Sequence, residues 1–496
     1  MGGRAADGRG GPGRPPVDPG RAGRRLGRPD DLPHPRHAVG GAGTGRLQRR
    51  RPGGPLLRDR VLPRRVGART HAGAVSGAPP RRDRVALALL RLVDRLLQQL
   101  VAVRADRVCW LSIPDATDNA RALWRHTLRT RRGIDHVWLV ADPHVEAALR
   151  TELAELTADR PDHGHRLTVR RKGSVRGYLA HLSSRWVFHT HGAYAFSDAV
   201  RGRRQVVALW HGMPIKAIGR LNRTSPNPRP TFATASIATS QLWRYVVASA
   251  FGLDAHEVWV TGAPRCDVFD HPEARATDAA TVRARLEVGA DQPLLVWLPT
   301  YRTQVDVGAR GGPTSGRTFV DDLPAGTLAA LQAAAEARDA VVVVKLHPMD
   351  VLNRGDAAAA VAAAGGGDRL RVLRADDWRR EGIQLYDLLA ASDALLSDVS
   401  SVVVDYLATD RPIGIVGFDP TTYDRERLLP VDALLASARF HRLEDAEVVA
   451  GFVAAAADRR PVHAAPGDLA AALYDRDPEP AAERVLRAAG FGPDGP

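Results

Sequence analysis

Short runs of consecutive apolar residues recur through residues 105–430 and alternate with stretches of helical pattern, and this feature most restricts the fold. Examples are VCWLSI at 108–113, HVWLVAD at 136–142, QVVALWH at 205–211 and VVVVKLHP at 341–348. Continuous apolar runs separated by helices are typical of parallel sheets that are covered on both faces. The sequence therefore predicts an α/β protein built from repeated βα units.

The βα units fall into two series that meet near residues 275–290. We expect an N-terminal Rossmann-like lobe over 105–280 and a C-terminal Rossmann-like lobe over 281–430, facing a central cleft. Residues 431–496 are rich in alanine and are predicted to be a helical C-terminal segment.

The excess positive charge lies in the first 84 residues. This segment holds 20 of the 70 basic and 6 of the 56 acidic residues, which leaves 50 of each kind in the remainder. The net charge of +14 is therefore no sign of a nucleic-acid-binding fold. Residues 1–84 are rich in Arg, Gly and Pro, so they are predicted to be a disordered tail or a non-native extension whose removal leaves activity intact.

Residues 85–104 are predicted to contain an amphipathic helix, with leucines at three- and four-residue spacings. We expect it to pack on the following lobe, and a position in a membrane interface is the alternative. Its charged residues rule out a bilayer span, and the N-terminus shows no secretory signal pattern. The only cysteines, Cys109 and Cys266, lack the spacing of a zinc site and favour a reducing compartment.

A first polar cluster follows strands of the N-terminal lobe, where ligands of parallel sheets bind. In LWHGMPIK, His211 directly follows a strand, and Gly212 and Pro214 indicate a turn. A histidine there suits a general base, and Lys216 suits a phosphate, although a structural turn histidine is the alternative. Arg265 lies in a similar turn, GAPRCD.

The C-terminal lobe offers matching clusters. His347 follows the strand in KLHPMD, and its imidazole is suited to stabilising a diphosphate across the cleft from the first histidine. In PTYR, Thr300 and Arg302 are candidate phosphate ligands.

The segment SDVSSVVVDY places Asp398, Ser400 and Ser401 between a strand and an apolar helix. Free backbone N–H groups at a helix start suit an anion, although serine is also an ordinary N-cap residue. No motif of a P-loop enzyme, a dinucleotide dehydrogenase, a zincin or an α/β-hydrolase occurs in the sequence.

In series, WHGMPIK, GAPRCD, LPTYR, KLHP and SDVSSVVVDY resemble the CDP-glycerol glycerophosphotransferase family of teichoic-acid primases and polymerases. DNARALWRHTL at 118–128 and RKGSVRGYLAHLSSRWVF at 171–188 also resemble early regions of the family. The resemblance covers about residues 105–430 and implies a GT-B fold, with the acceptor on the N-terminal lobe and the donor on the C-terminal lobe.

The resemblance implies attack of an acceptor hydroxyl on the β-phosphorus of a CDP-activated polyol, with release of CMP. It implies that His211 is the base and that His347 binds or polarises the diphosphate. Ser400, Ser401, Thr300 and Arg302 would hold phosphate, with Lys216 and Asp398 at the donor site and Gly212, Pro214 and Arg265 supporting.

The sequence departs from the family at a few motif positions. The family usually has Thr at Met213, Tyr at Ala263, Asn at Cys266 and Tyr at Val399. These changes keep the histidines and serines, and they leave the identity of the polyol open.

The resemblance also implies partners: CDP-glycerol or a similar CDP-polyol donor, and a lipid-linked or polymeric polyol-phosphate acceptor. It places the enzyme in the cytoplasm, peripherally on the inner face of the membrane, with no nucleic acid involved. No metal site or cofactor is expected from the motifs, and a divalent cation is left open. Two alternatives are a GT-B glycosyltransferase or nucleotide-sugar epimerase that uses a UDP-sugar, and a non-enzymatic basic binding protein.

Overall fold

A computed structural model provides the structure of the chain for residues 81–198, 200, 202–215, 217–221, 232–299, 318–346, 356–373, 382–398, 400–417, 440–462 and 472–492. Four of the predicted site residues, Lys216, Thr300, Arg302 and His347, lie outside these ranges.

Seven strands from the first half of the chain form one parallel sheet: β1 (Arg104–Leu111), β2 (Asp135–Val140), β3 (Arg166–Arg171), β4 (Ser184–His189), β5 (Gln205–Ala208), β6 (Ala235–Ala238) and β7 (Val258–Val260). Their order across the sheet is β3-β2-β1-β4-β5-β6-β7. The residues of β2 are all buried, as expected for a strand covered on both faces.

Six strands from the second half form another parallel sheet: β8 (Leu294–Leu298), β9 (Val341–Lys345), β10 (Leu370–Leu373), β11 (Ala394–Ser397), β12 (Ile413–Ile415) and β13 (Phe440–Arg442). Their order is β10-β9-β8-β11-β12-β13, which repeats the pattern of the first sheet. Together the sheets confirm the predicted α/β architecture with two Rossmann-like lobes.

The described helices connect and flank these strands. They are α1 (Arg81–Leu100), α2 (Asp118–Thr130), α3 (Val145–Thr157), α4 (Val175–Ser183), α5 (Gln241–Phe251), α6 (Asp267–Asp270), α7 (Ala279–Arg285), α8 (Thr327–Ala337), α9 (Ala357–Ala363), α10 (Leu385–Ala391), α11 (Val402–Tyr406), α12 (Ala446–Ala457) and α13 (Ala481–Ala488). Helix α5 begins at a serine cap, where Ser240 Oγ accepts from Trp243 N, and ends at Gly252 with φ of +68°.

One apolar core extends across both lobes. It contains Met213, Ile215 and Trp243 from the N-terminal lobe, and Val341 and Leu388 from the C-terminal lobe, all 2% exposed or less. Because protein interiors are close-packed, this shared core fixes the position of one lobe relative to the other.

The C-terminal segment packs on both lobes. Helix α12 places Phe452 in the core of the C-terminal lobe, and α13 places Val485 and Leu486 in the core of the N-terminal lobe. Trp186 of β4 donates from Nε1 to the carbonyl of Ala489 at 2.9 Å. The segment was predicted to be helical throughout, but it also contributes β13 to the second sheet.

Helix α1 begins four residues before the predicted start, and Asp94 is the only buried residue among its described side chains. Asp94 is fully buried and accepts hydrogen bonds from the Tyr178 hydroxyl and from Ser197 Oγ. The apolar side is exposed at Val85, Leu89, Leu90, Leu92, Val93, Leu96 and Leu100. Within the described part of the chain, no helix has both the length and the hydropathy needed to cross a bilayer.

Candidate functional site

Both sheets reverse their strand order beside the first strand of the series, between β1 and β4 and between β8 and β11. Ligands of open parallel sheets bind beyond the carboxyl ends of strands at such switch points. Thr190 and His191 directly follow β4, and Asp398 directly follows β11. These positions locate the candidate site at the facing ends of the two sheets.

The predicted turn after β5 (residues 209–215, the His211 turn) has an unusual backbone. Trp210 has φ of +52°, and Gly212 has φ of +145°, a conformation that favours glycine. Asn119, at the start of α2, donates from Nδ2 to the carbonyls of Leu209 at 3.1 Å and Trp210 at 3.0 Å. These bonds hold the turn against the N-terminal lobe, while Met213 and Ile215 anchor it in the shared core.

The two ring nitrogens of His211 have different surroundings. Nδ1 lies 3.3 Å from the carbonyl oxygen of Thr190, which can only accept, so Nδ1 carries the proton. Nε2 is then the basic nitrogen of the neutral ring. The His211 ring stacks on His191 with centroids 3.9 Å apart and planes 5° apart, and Trp210 lies 4.3 Å away.

Burial lowers the pKa of His211, and the nearby Arg265 guanidinium lowers it further, against the opposing effects of the Thr190 carbonyl and Asp118. Burial and the adjacent His211 lower the pKa of His191 to about 4. Both rings are therefore neutral near pH 7. A neutral imidazole with an available Nε2 is the form that a general base requires.

The serine pair of the second lobe lies against the His211 turn. A Cβ added at Gly212 would lie 2.4 Å from Ser401 Oγ, so the two turns are in direct contact across the lobes. The helix that follows the serines, α11, has only five residues and continues as a 3-10 turn over Leu407–Thr409. It is shorter than the sequence pattern indicates, so its dipole is small.

Arg265 joins the same region from a buried 3-10 turn, Pro264–Cys266. Its two terminal guanidinium nitrogens donate to Asp118 Oδ1 at 2.7 Å and to Asp405 Oδ2 at 2.6 Å. Asp118 belongs to the N-terminal lobe and Asp405 to α11 of the C-terminal lobe, so one side chain bridges both lobes.

The structure thus brings together His211, Gly212, Arg265 and Ser401. Pro214 is buried within the His211 turn, Asp398 is buried at the end of β11, and Ser400 is half-buried beside Ser401. The roles predicted for these residues stay predictions.

Sequence analysis missed several residues of the site. His191 is preceded by the switch-point strand β4, a position that the strand order alone singles out. Asp118 and Asn119 lie within the early motif DNARALWRHTL, and Asp405 lies within SDVSSVVVDY. These three residues belong to sequence motifs, but the residues that they bind could be identified only from the structure.

Metal-ligating side chains do not cluster within the described ranges: no three His, Cys, Asp or Glu residues there are grouped so that they could hold a metal ion. Cys109 and Cys266 are both buried free thiols.

The sequence model of a family described as CDP-Glycerol:Poly(glycerophosphate) glycerophosphotransferase matches residues 94–461. Teichoic acid glycerol-phosphate transferase of Staphylococcus aureus is 25% identical over 244 residues, which cover 45% of this chain and 55% of that protein. Teichoic acid ribitol-phosphate polymerase TarL of the same organism is 29% identical over 238 residues, which cover 45% of this chain and 38% of that protein. The chain thus spans about half the length of these relatives or less.

Among solved structures, one of the wall teichoic acid polymerase TagF has a TM-score of 0.57 at 14% identity, covering 83% of this chain and 98% of that chain. Another TagF structure, from a 15 minute soak with CDPG, has a TM-score of 0.55 at 14% identity and covers 82% of this chain and 95% of that chain. At such identities the likeness shows a common fold, which is GT-B-like.

Proposed function

Since the chain belongs to the CDP-glycerol:poly(glycerophosphate) glycerophosphotransferase family, we propose that it transfers a polyol phosphate, such as glycerol phosphate, from a CDP-activated donor to an acceptor hydroxyl. The acceptor is a lipid-linked or polymeric polyol phosphate of a teichoic-acid-like cell-wall polymer. The observation that carries this proposal is the half-buried, neutral His211, whose turn contacts Ser401 of the opposite lobe.

In this proposal the acceptor hydroxyl oxygen attacks the β-phosphorus of the donor. A bond forms between that oxygen and phosphorus, the bond from phosphorus to the CMP phosphate oxygen breaks, and CMP leaves with the electron pair. Nε2 of His211 accepts the hydroxyl proton. The bond from Nδ1 to the Thr190 carbonyl keeps the ring proton on Nδ1, so Nε2 is the basic nitrogen.

The developing charge on CMP would be stabilised from the C-terminal lobe. Ser400 and Ser401 supply hydroxyl donors at the contact with the His211 turn. His347, Arg302 and Thr300, with Lys216 from the first lobe, are proposed to bind the diphosphate, because preorganised donors aimed at a leaving group lower its barrier.

The test is CMP release from CDP-glycerol and from CDP-ribitol, in the presence of a synthetic lipid-linked glycerol-phosphate acceptor. We expect His211→Ala and His347→Ala each to reduce turnover by at least about 100-fold, the scale of a lost base or charge stabiliser. His256→Ala, at an exposed histidine, is the matched control. UDP release from a UDP-sugar without CMP release would instead support a glycosyltransferase or epimerase.

We further propose that the enzyme works peripherally at the inner membrane surface in the cytoplasm, where a lipid-linked acceptor would be met. The supporting feature is the exposed apolar side of α1, with Leu89 at 58% and Leu92 at 55% exposed. Arg91 and Arg95 pair with Asp198 on the other side of the helix, which keeps it docked. An amphipathic helix in this orientation suits the boundary between headgroups and acyl chains.

Flotation with phosphatidylglycerol-containing vesicles tests this localisation. We expect the triple substitution Leu89→Gln, Leu92→Gln and Leu96→Gln to lower the bound fraction, because it removes apolar area from the exposed side of α1. Tyr245→Gln is the matched control, since Tyr245 is 62% exposed on α5. Equal flotation of the triple variant and the control would show that α1 is not the contact.

A further inference from the structure

Arg265 is the only side chain in the candidate site described here with ion pairs to both lobes. It follows β7 of the N-terminal lobe and is 5% exposed. Its pair with Asp118 stays within that lobe, whereas its pair with Asp405 crosses to α11. The Asp405 side chain is 1% exposed, so the crossing pair is shielded from solvent and from salt.

Further contacts hold this bridge in one geometry. The Tyr386 hydroxyl donates to the same Asp405 oxygen at 2.7 Å, and the guanidinium lies 4.8 Å from the centre of the Tyr386 ring. The backbone N–H of Arg265 donates to Asn119 Oδ1 at 3.1 Å. Both ends of the arginine, its main chain and its guanidinium, are therefore fixed.

The Arg265 bridge contacts both the His211 turn and the segment that carries Ser401. Asn119, which binds the Arg265 backbone, also binds the carbonyls of Leu209 and Trp210 just before His211. Asp405 lies one turn of helix after Ser401, and a Cβ at Gly212 would lie 3.4 Å from an Arg265 guanidinium nitrogen. A shift of Arg265 would therefore change the distance between the base and the serine pair.

We propose that Arg265 is a positioning residue that sets the apposition of His211 and Ser401 by bridging Asp118 and Asp405. Its effect on turnover rests on the proposed function, but its effect on the contact between the two turns does not. Arginine suits this task because its planar fork reaches two carboxylates at once, whereas the lysine ammonium is a point charge on a flexible stem.

The experiment compares Arg265→Lys with Arg283→Lys in the full chain. Arg283 is a matched control, since it is 8% exposed and pairs with Asp393 at 2.6 Å within the C-terminal lobe. We expect Arg265→Lys to lower kcat by about 100-fold, the scale of a misplaced reacting group, with the KM for CDP-glycerol within about threefold of the parent value. Arg283→Lys should keep the parent kcat even where its Tm falls.

Hydrogen–deuterium exchange measures the bridge without any activity. We expect Arg265→Lys to increase exchange in residues 209–215 and 402–406, and Arg283→Lys to leave both segments unchanged. If the chain releases no CMP from any CDP-polyol, the proposed function fails while this readout still decides the bridge.

A second variant, Asp405→Asn, keeps the side-chain volume and removes one charge, so it replaces Arg265→Lys if the latter does not fold. Increased exchange in both segments together with a lower kcat supports the proposal. Parent-like exchange, or a loss of kcat equal to that of Arg283→Lys, overturns it.

Discussion

His211 directs Nδ1 at the Thr190 carbonyl, which leaves Nε2 as the basic nitrogen of the neutral ring. Because burial lowers its pKa, the basic form persists below about pH 6.5, the usual midpoint for histidine. We predict that the acid limb of kcat/KM has an apparent pKa below about 6.5. Asp118→Asn should move the limb to still lower pH, since Asp118 raises the pKa of His211.

A pH–rate profile from pH 4.5 to 8.5 checks this prediction. An acid limb with an apparent pKa above the usual histidine value would contradict it, and so would a rise of that apparent pKa in Asp118→Asn. The groups that face His211 include His191, Asp118 and Arg265.

His191 supports the His211 ring from one side. We predict that His191→Ala lowers kcat by about 10-fold, because losing one aromatic pair lets His211, the proposed base, leave its orientation. His191→Phe keeps a flat partner and should retain kcat within about threefold of the parent. Steady-state kinetics of the two variants give the answer, and equal losses in both would assign His191 a role other than stacking.

At the scale of elements, the His211 turn can approach the segment with Ser401 closely because residue 212 is a glycine. Gly212 has φ of +145° and contacts Ser401 directly. We predict that Gly212→Ala lowers kcat by at least about 10-fold, since the added methyl pushes the serine pair away from the proposed base, His211. Gly451→Ala is the control, because nothing lies within 4 Å of a Cβ added there, in the middle of α12.

Turnover and circular dichroism of both glycine variants separate local from global effects. A parent-like kcat in Gly212→Ala would show that the serine pair can move without cost to the reaction.

Long apolar runs made most interior strands predictable, whereas three of the four edge strands were not. The runs VVVVKLHP and ALLSD correspond to β9 (Val341–Lys345) and β11 (Ala394–Ser397), which lie inside the second sheet. Sequence patterns do not predict β3, β6, β10 or β13, three of which lie at sheet edges. Edge strands face solvent and take arginines, as in RLTVRR of β3, so the apolar signal is lost.

Helix α1 shows how a local pattern can mislead about orientation. Its leucines predict an apolar face that packs on the lobe, with Asp94 as an interruption. In the structure Asp94 is the buried residue, because Tyr178 and Ser197 satisfy its carboxylate, and most of the leucines are exposed. A buried carboxylate is tolerated where it is hydrogen-bonded, and only the fold supplies those partners.

At the scale of the whole molecule, three fully buried histidines, His136, His181 and His189, make stability depend on pH. Burial lowers the pKa of each, to about 3 for His189. Below about pH 6.5 the unfolded chain binds protons that the folded chain does not, so the free energy of unfolding falls as pH falls. Each histidine contributes about 1.4 kcal/mol per pH unit in this range.

We therefore predict that Tm is nearly constant from pH 7.5 to about pH 6.5 and decreases steadily from there to pH 5.0. Differential scanning calorimetry across this range measures the slope. His189→Gln should reduce the slope of Tm against pH by the contribution of about one bound proton. An unchanged slope would mean that His189 is protonated in the folded chain.

The amino-acid pattern alone predicts the fold class, the two series of βα units, and the turns that carry His211 and Ser401. These follow from local requirements: strands buried on both faces need continuous apolar runs, and polar residues at their ends mark where ligands bind. A likeness in five ordered motifs was enough to indicate the family.

Which of these groups lie in contact depends on the packing of the two lobes. His211 stacks on His191, Gly212 contacts Ser401, and Arg265 pairs with Asp405 across 140 positions of sequence. Such pairings depend on how two sheets pack through a shared core, and no local period or propensity encodes a contact between distant segments.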